Sequence, residues 1–211
     1  MPIEPAQRIR ILAVDDHPTL REGLAAMIGS QPDMLLVGEA DSGKVAVTLF
    51  RQHRPDITLM DLRLADMNGI DAIRIIRSEY PNARIIVLTT YLGDVQVLRA
   101  LQAGAMGYLM KATLRRDLLE TIRVVHSGHR KIPPEVASEL AQHAMDEALT
   151  DREIEVLRQI AGGCSNKVVA DRLGISEDTV KGHVRSILSK LNASDRTHAV
   201  TIAMKRGFLE L

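Results

Sequence analysis

Tryptophan is absent from this chain, aromatic residues amount to two phenylalanines and three tyrosines, and cysteine occurs once. The single Cys164 excludes an internal disulfide framework and suits a reducing compartment. A free cysteine usually behaves as a small buried residue, and Cys164 is expected to do so. With so few rings, the cores have to be built from Leu, Ile, Val, Ala and Met. No apolar run reaches the roughly 20 residues that span a bilayer, and the start of the chain has no secretory apolar stretch. A cytoplasmic protein with no membrane partner is expected. Excess charge is also missing, since 27 Lys and Arg balance 27 Asp and Glu. The C-terminal part is only slightly basic, so charge alone does not announce a nucleic-acid binder. At 211 residues the chain has room for two domains.

What is present is alternation. Apolar strand-like runs at 9–14, 34–40, 56–60, 84–89 and 107–110 are separated by amphipathic stretches near 18–30, 42–53, 69–79, 94–103 and 113–126. Near-continuous apolar runs joined by helices read as buried parallel strands. The pattern therefore predicts an α/β doubly wound domain with a five-stranded parallel sheet over residues 1–128. Ser127-Gly128 stops its last helix. Residues 129–148 form a linker that holds Pro133-Pro134 and a short helical pattern through Val136, Leu140 and Ala144. Residues 149–211 are helical in character, with stretches at 150–161, 165–173, 176–191 and 194–206. Gly162-Gly163 and Gly174 punctuate them, and Ser176 is placed to cap the third. A short helix, a glycine turn and a longer capped helix predict a small all-α helix-turn-helix domain.

Ligand crevices in open parallel sheets lie beyond the carboxyl ends of the strands. The first run ends at Asp15-Asp16 and the third at Asp61. Three carboxylates there can hold a hard divalent cation and leave one to accept a phosphoryl group. Mg²⁺ keeps several waters and needs few carboxylates. Asp16 and Asp61 would serve, with the carbonyl of Arg63 beside them and Asp15 in the outer shell. The fourth run ends at Thr89-Thr90 and the fifth at Lys111, adding a hydroxyl and an amine. Each alone has a bland reading: an Asp after a strand is commonly a turn or cap residue, and a lone Lys is a surface charge. Their joint placement at strand ends is what points to phosphoryl chemistry.

The segments LAVDDHPTLREGL, PDITLMDLRLADMNGID, IIVLTT and AGAMGYLMK resemble the receiver domain of two-component response regulators. The resemblance implies a flavodoxin-like sheet of strand order 2-1-3-4-5. It implies Asp61 as phospho-acceptor, Asp15 and Asp16 as the acidic pair, Thr89 as switch hydroxyl, Tyr108 as the moving aromatic and Lys111 as the partner amine. Ala65 and Ala112 stand where the family often has proline, which could loosen the loops after strands three and five.

On a helical wheel of 180–191, Val180, Val184, Ile187, Leu188 and Leu191 share one stripe. The other side carries Gly182, Arg185, Ser186 and Ser189, with Lys181 on one edge and Lys190 on the other. A small face would let the backbone approach a major groove while Arg185 and Lys181 reach base edges. A solvated helix face is the plain alternative. LTDREIEVL, SNKVVADRLGIS and TVKGHVRSILSKL resemble the LuxR-type helix-turn-helix, and with a receiver in front the whole resembles the NarL/FixJ subfamily. That resemblance implies DNA contact from Lys181, Gly182 and Arg185 and phosphate contacts from Asn166, Lys167, Ser176, Thr179 and Lys190. It implies a transcription regulator rather than an enzyme, served by a cognate sensor histidine kinase and binding double-stranded promoter DNA as a homodimer. One rival is an orphan regulator whose receiver only binds partners. Another is an Asp-nucleophile phosphatase, disfavoured because Arg63 stands where its general acid is needed. His126 and His129 have no companion ligand and read as surface histidines.

Overall fold

In the computed structural model residues 8–90, 93–143 and 145–209 are described. Ala144, expected on the apolar face of the linker helix, lies outside them. Strands β1 (Ile9–Val14), β2 (Met34–Ala40), β3 (Ile57–Asp61), β4 (Ile85–Thr89) and β5 (Gly107–Met110) form one parallel sheet of order β2-β1-β3-β4-β5. Helices α1 (Pro18–Gly29), α2 (Gly43–His53), α3 (Gly69–Glu79), α4 (Asp94–Gln102) and α5 (Leu114–His126) alternate with them. Every residue of β3 and β4 is buried, which is why these strands read as unbroken apolar runs rather than alternating ones. Leu24 and Ile28 of α1 and Leu118, Ile122 and Val125 of α5 pack against Ile11, Leu59, Ile86 and Leu88. Helices α2 and α3 bury Ala46, Val47, Phe50, Ile70, Ile73 and Ile76.

The register sets up a site. Val14 pairs with Met60, Asp61 with Leu88 and Thr89 with Met110. The residues at and just past the ends of β1, β3, β4 and β5 therefore share one rim of the sheet.

Beyond α5 the chain does not leave at once. Lys131 bridges Gly107 in parallel, accepting from Tyr108 N–H at 3.0 Å and donating to the Met106 carbonyl at 3.0 Å. The first part of the 129–148 segment is thus laid along the edge of β5, because that edge has N–H and C=O groups to pair. Helix α6 (Pro134–Gln142) follows, with proline at its start, where a missing N–H costs nothing, and with Val136 buried. The main division of the chain into two compact units falls between Ala137 and Ser138.

The second unit holds α7 (Asp151–Ala161), α8 (Asn166–Leu173), α9 (Glu177–Lys190) and α10 (Arg196–Arg206). Ile154, Leu157, Ile160, Val169, Val180, Ile187, Leu191, Ala199 and Ala203 form its core. Gly174 closes α8 with φ 64°, a left-handed turn that a side chain would strain. Cys164 is half-exposed rather than buried, at the turn before α8, with its thiol 3.9 Å from Gln159 Oε1. Among the described residues no helix is long and apolar enough to cross a membrane.

Candidate functional site

At the rim of the first unit Asp15 is fully buried and Asp61 is 2% exposed. The Lys111 ammonium lies 2.7 Å from Asp61 Oδ2 and 2.7 Å from Asp15 Oδ2. Burial would pull its pKa down, but the bonds to Asp15 and Asp61 outweigh this and hold it above the ordinary lysine range. Burial also pushes the Asp61 carboxyl up, with the Asp15 charge adding to it and Lys111 opposing. A main-chain N–H, that of Arg63, reaches Asp61 Oδ1 at 3.3 Å. Asp16 and His17 complete the cluster, with His17 Nδ1 2.7 Å from Asp16 Oδ1 and 3.1 Å from Asp15 Oδ1. Two of the three carboxylates meet the Lys111 ammonium, and the third, that of Asp16, has only the His17 ring beside its solvent-shielded Oδ1 among the described residues. Oxygen donors with surplus negative charge fit a hard divalent cation.

Sequence reasoning missed the parts that hold this rim in place. A Cβ at Gly69 would collide with the Asp61 carbonyl oxygen, so only glycine lets α3 begin there. The Gly69 N–H donates to the Leu62 carbonyl at 2.8 Å, and the Asn68 side chain caps α3 by accepting from Ile70 N–H at 2.8 Å. Asp66 accepts from the Gly43 and Lys44 N–H groups at 2.8 and 3.0 Å, so the loop after β3 also caps α2. Burial opposes ionisation of Asp66, but these two bonds keep its carboxyl below the usual range. Ala65, in the place of the family's proline, sits beside this clamp. The signal for Gly69 was present in MNGID, a glycine at a helix start; Asp66 gave none, because its partners are 22 and 23 residues away.

Thr89 and Tyr108 are joined. Thr89 is 4% exposed, Tyr108 is fully buried, and their hydroxyls are hydrogen-bonded. Burial raises the Tyr108 phenol to about 12, the Thr89 bond pulling the other way. The Tyr108 ring, expected to be the moving aromatic, lies inside the fold beside Thr89.

In the second unit Ser176 caps α9, accepting from Thr179 N–H at 3.1 Å. Lys181, Gly182, Arg185 and Ser189 are exposed, as are Ser176, Thr179 and Lys167, while Asn166 is half-buried at the start of α8. Lys181 pairs with Asp178 at 3.0 Å, and this bond, aided by the charges of Asp178 and Glu177, raises its pKa. A Cβ at Gly182 would meet nothing within 4 Å. Ser186 and Lys190 are placed differently from the wheel. Ser186 Oγ donates to Glu153 Oε1 at 2.6 Å, and Lys190 Nζ lies 3.0 Å from Glu153 Oε2, 3.2 Å from Glu147 Oε1 and 3.2 Å from the Ala148 carbonyl. Lys190 therefore serves the buried Glu153 and is not presented as a phosphate-contacting rim residue. Glu153 also closes a capping box with Thr150. Burial resists its ionisation, yet the bonds from Ser186, Thr150 and Lys190 carry its carboxyl down to about 2. A wheel of one helix cannot show a carboxylate brought in by another. His129 is exposed and its Nδ1 lies 3.0 Å from Ser127 Oγ, and neither it nor His126 joins a metal-binding group among the described residues.

Residues 11–123 match the family described as the response regulator receiver domain, and residues 147–203 that described as bacterial regulatory proteins, luxR family. The chain is 39% identical over 214 residues to the uncharacterized transcriptional regulatory protein YxjL of Bacillus subtilis, covering 96% of this chain and 98% of that one. It is 37% identical over 207 residues to the response regulator protein VraR of Staphylococcus epidermidis, with 96% and 99% covered. The crystal structure of response regulator ChrA, from a heme-sensing two component system, matches with TM-score 0.57 at 35% identity over 96% of this chain and all of that one.

Proposed function

This chain belongs to the response regulators that carry a receiver followed by a LuxR-type DNA-binding domain, and from that premise we propose that phosphorylation of Asp61 controls its binding to promoter DNA. The observation that carries the reading is the Lys111 ammonium held 2.7 Å from both Asp61 and Asp15 inside a buried acidic rim.

An ionised Asp61 oxygen attacks the phosphorus of a phosphohistidine on a sensor kinase; an O–P bond forms and the P–N bond breaks. Mg²⁺, when bound, neutralises charge on the transferred phosphoryl oxygens. Asp16, Asp61 and the Arg63 carbonyl would hold it, with Asp15 in the outer shell. Lys111 turns from the Asp61 carboxylate to a phosphoryl oxygen, and Thr89 donates its hydroxyl to another. The second act gives up the bond to Tyr108, so occupancy of Asp61 is read as a change in the partner of a buried phenol. The protein modifies itself and turns over no external substrate, which makes it a regulator and not an enzyme.

In the second unit α9 is the reading helix. Lys181 and Arg185 lie one turn apart and can enter one groove together. Gly182 between them lets the backbone come close. Lys167, Asn166, Ser176 and Thr179 hold phosphates, and Lys190 is left out for the reason given above. So small and weakly charged a domain needs two copies on a repeated site, and a homodimer in the cytoplasm follows. Acetyl phosphate with Mg²⁺ is expected to label the protein at Asp61 alone, followed by intact mass and peptide mapping. Labelling of Asp61→Asn at the level of the unmodified protein would overturn the assignment.

A further inference from the structure

The first turn of α1 carries a cation where helix electrostatics favour an anion. Acids stabilise the partial positive charge at a helix start, yet the first turn of α1 holds none, and Arg21 stands there instead. Helical side chains lean toward the N-terminus, which carries the Arg21 guanidinium back over Asp15. There Nη1 donates to the Asp15 carbonyl at 2.7 Å. Nε stands 4.0 Å from Oε2 of Glu39, the next-to-last residue of β2, and the Arg21 side chain is only 19% exposed. A long cation is free to extend into water; this one is folded against the main chain of the acidic rim.

The other groups of Asp15 are also held. Its N–H donates to the Ala40 carbonyl at 3.1 Å, Oδ1 accepts from the His17 main-chain N–H at 2.9 Å, and Oδ2 meets the Lys111 ammonium. The Asp15 carbonyl belongs to the peptide plane that leads into Asp16, and that plane is rigid. Fixing its oxygen fixes where the Asp16 side chain leaves the chain. Asp16 Oδ1, with only the exposed His17 ring beside it among the described residues, depends on this backbone for its aim.

We infer that Arg21 is a positioning residue for phosphoryl transfer: by holding the Asp15 carbonyl it sets the Asp16 carboxylate where it can hold Mg²⁺. The inference rests on the reading of Asp16 as a metal-holding carboxylate. The sign of the effect separates positioning from simple electrostatics. A guanidinium beside the rim repels a divalent cation, so deleting its charge alone would tighten Mg²⁺ binding. Deleting an anchor loosens it, since groups that orient metal ligands are worth about 10- to 100-fold in affinity. An arginine that only braced the fold would lower the melting temperature without weakening Mg²⁺ binding by the folded chain.

Calorimetric titration of the full chain with Mg²⁺, well below the melting temperature, compares the unmodified protein with Arg21→Met, Arg21→Gln, Arg21→Lys and Asp16→Asn. Methionine keeps the stem without charge or donor, glutamine keeps a donor too short to reach, and lysine keeps both charge and reach. Arg21 lies half-buried on a surface helix and outside the apolar core, so the variants are expected to fold, and melting curves check this. The expected result is Mg²⁺ affinity lower by about tenfold in Arg21→Met and Arg21→Gln, and largely recovered in Arg21→Lys. Affinity that is unchanged or higher in the first two overturns the inference, whatever their melting temperatures, and so does a lysine variant as weak as the methionine one. Asp16→Asn tells this apart from failure of the underlying reading. If Asp16→Asn binds Mg²⁺ like the unmodified protein, Asp16 does not hold the metal and the reading falls together with the inference. If it loses Mg²⁺ while Arg21→Met and Arg21→Gln keep it, the inference alone falls.

Discussion

A single glycine illustrates how a residue can be fitted to something outside the chain. Gly182 stands in the middle of α9, where glycine is worse than alanine by up to about 1 kcal/mol. Nothing in the folded unit requires it, because a Cβ there would meet nothing within 4 Å. Gly182→Ala is therefore expected to raise the melting temperature while weakening DNA binding, since the added methyl group occupies space at the groove floor. Melting curves and a promoter titration on the same preparation check both signs, and a variant that is stabilised with no loss of affinity would show that the face is not pressed against DNA. Lys190 teaches the opposite lesson. Its ammonium looked free on a wheel, and the fold commits it to Glu153.

At the scale of the element, the loop between β3 and α3 is held at both ends: Gly69 and Asn68 at the start of α3, and Asp66 on the first N–H groups of α2. Losing a helix cap costs about 1 kcal/mol. Asp66→Ala should therefore lower stability by that order and also slow labelling of Asp61 by acetyl phosphate, because Arg63 lies in the loop it secures and Asp61 ends the strand that leads into it; chemical denaturation and a labelling time course measure the two effects. Helices α7 and α9 are tied by a different carboxylate. The Glu153 pKa in the fold, about 2, lies below its ordinary 4.5, so its stabilising contribution is complete above pH about 4.5 and is lost as pH falls through 2. Glu153→Gln is expected to cost on the order of 1–3 kcal/mol at neutral pH and to flatten the acid limb of the stability curve. Urea melts between pH 3 and 7 provide the comparison.

For the molecule as a whole the question is how a phosphoryl group at one strand end changes what the chain binds. Thr89 is shared between the rim and Tyr108. Thr89→Ala should still accept phosphate at Asp61, since the nucleophile, Asp16 and Lys111 remain. The rise in dimerisation or DNA affinity that follows phosphorylation should shrink, because no hydroxyl leaves the phenol. Sedimentation and promoter titration with and without acetyl phosphate measure this, and an undiminished rise would place the switch elsewhere. The five-stranded parallel sheet was legible because buried parallel strands are apolar throughout, so their runs stand out without any alignment. The convergence of Asp15, Asp61, Thr89 and Lys111 was legible because strand ends in such a sheet share one rim. The helix-turn-helix was legible from its glycines and its serine cap.

Local sequence alone determined the element order, the ends at which chemistry gathers, and the apolar stripe of α9, since each depends on residues a few positions apart. Tertiary structure alone decided the rest. It gave Lys190 and Ser186 to Glu153 across 37 and 33 positions, placed Asp66 on the start of α2, laid Lys131 along β5 and buried Tyr108 against Thr89. These partners are set by which elements pack together, and a hydrogen bond between residues distant in the chain leaves no periodicity to read.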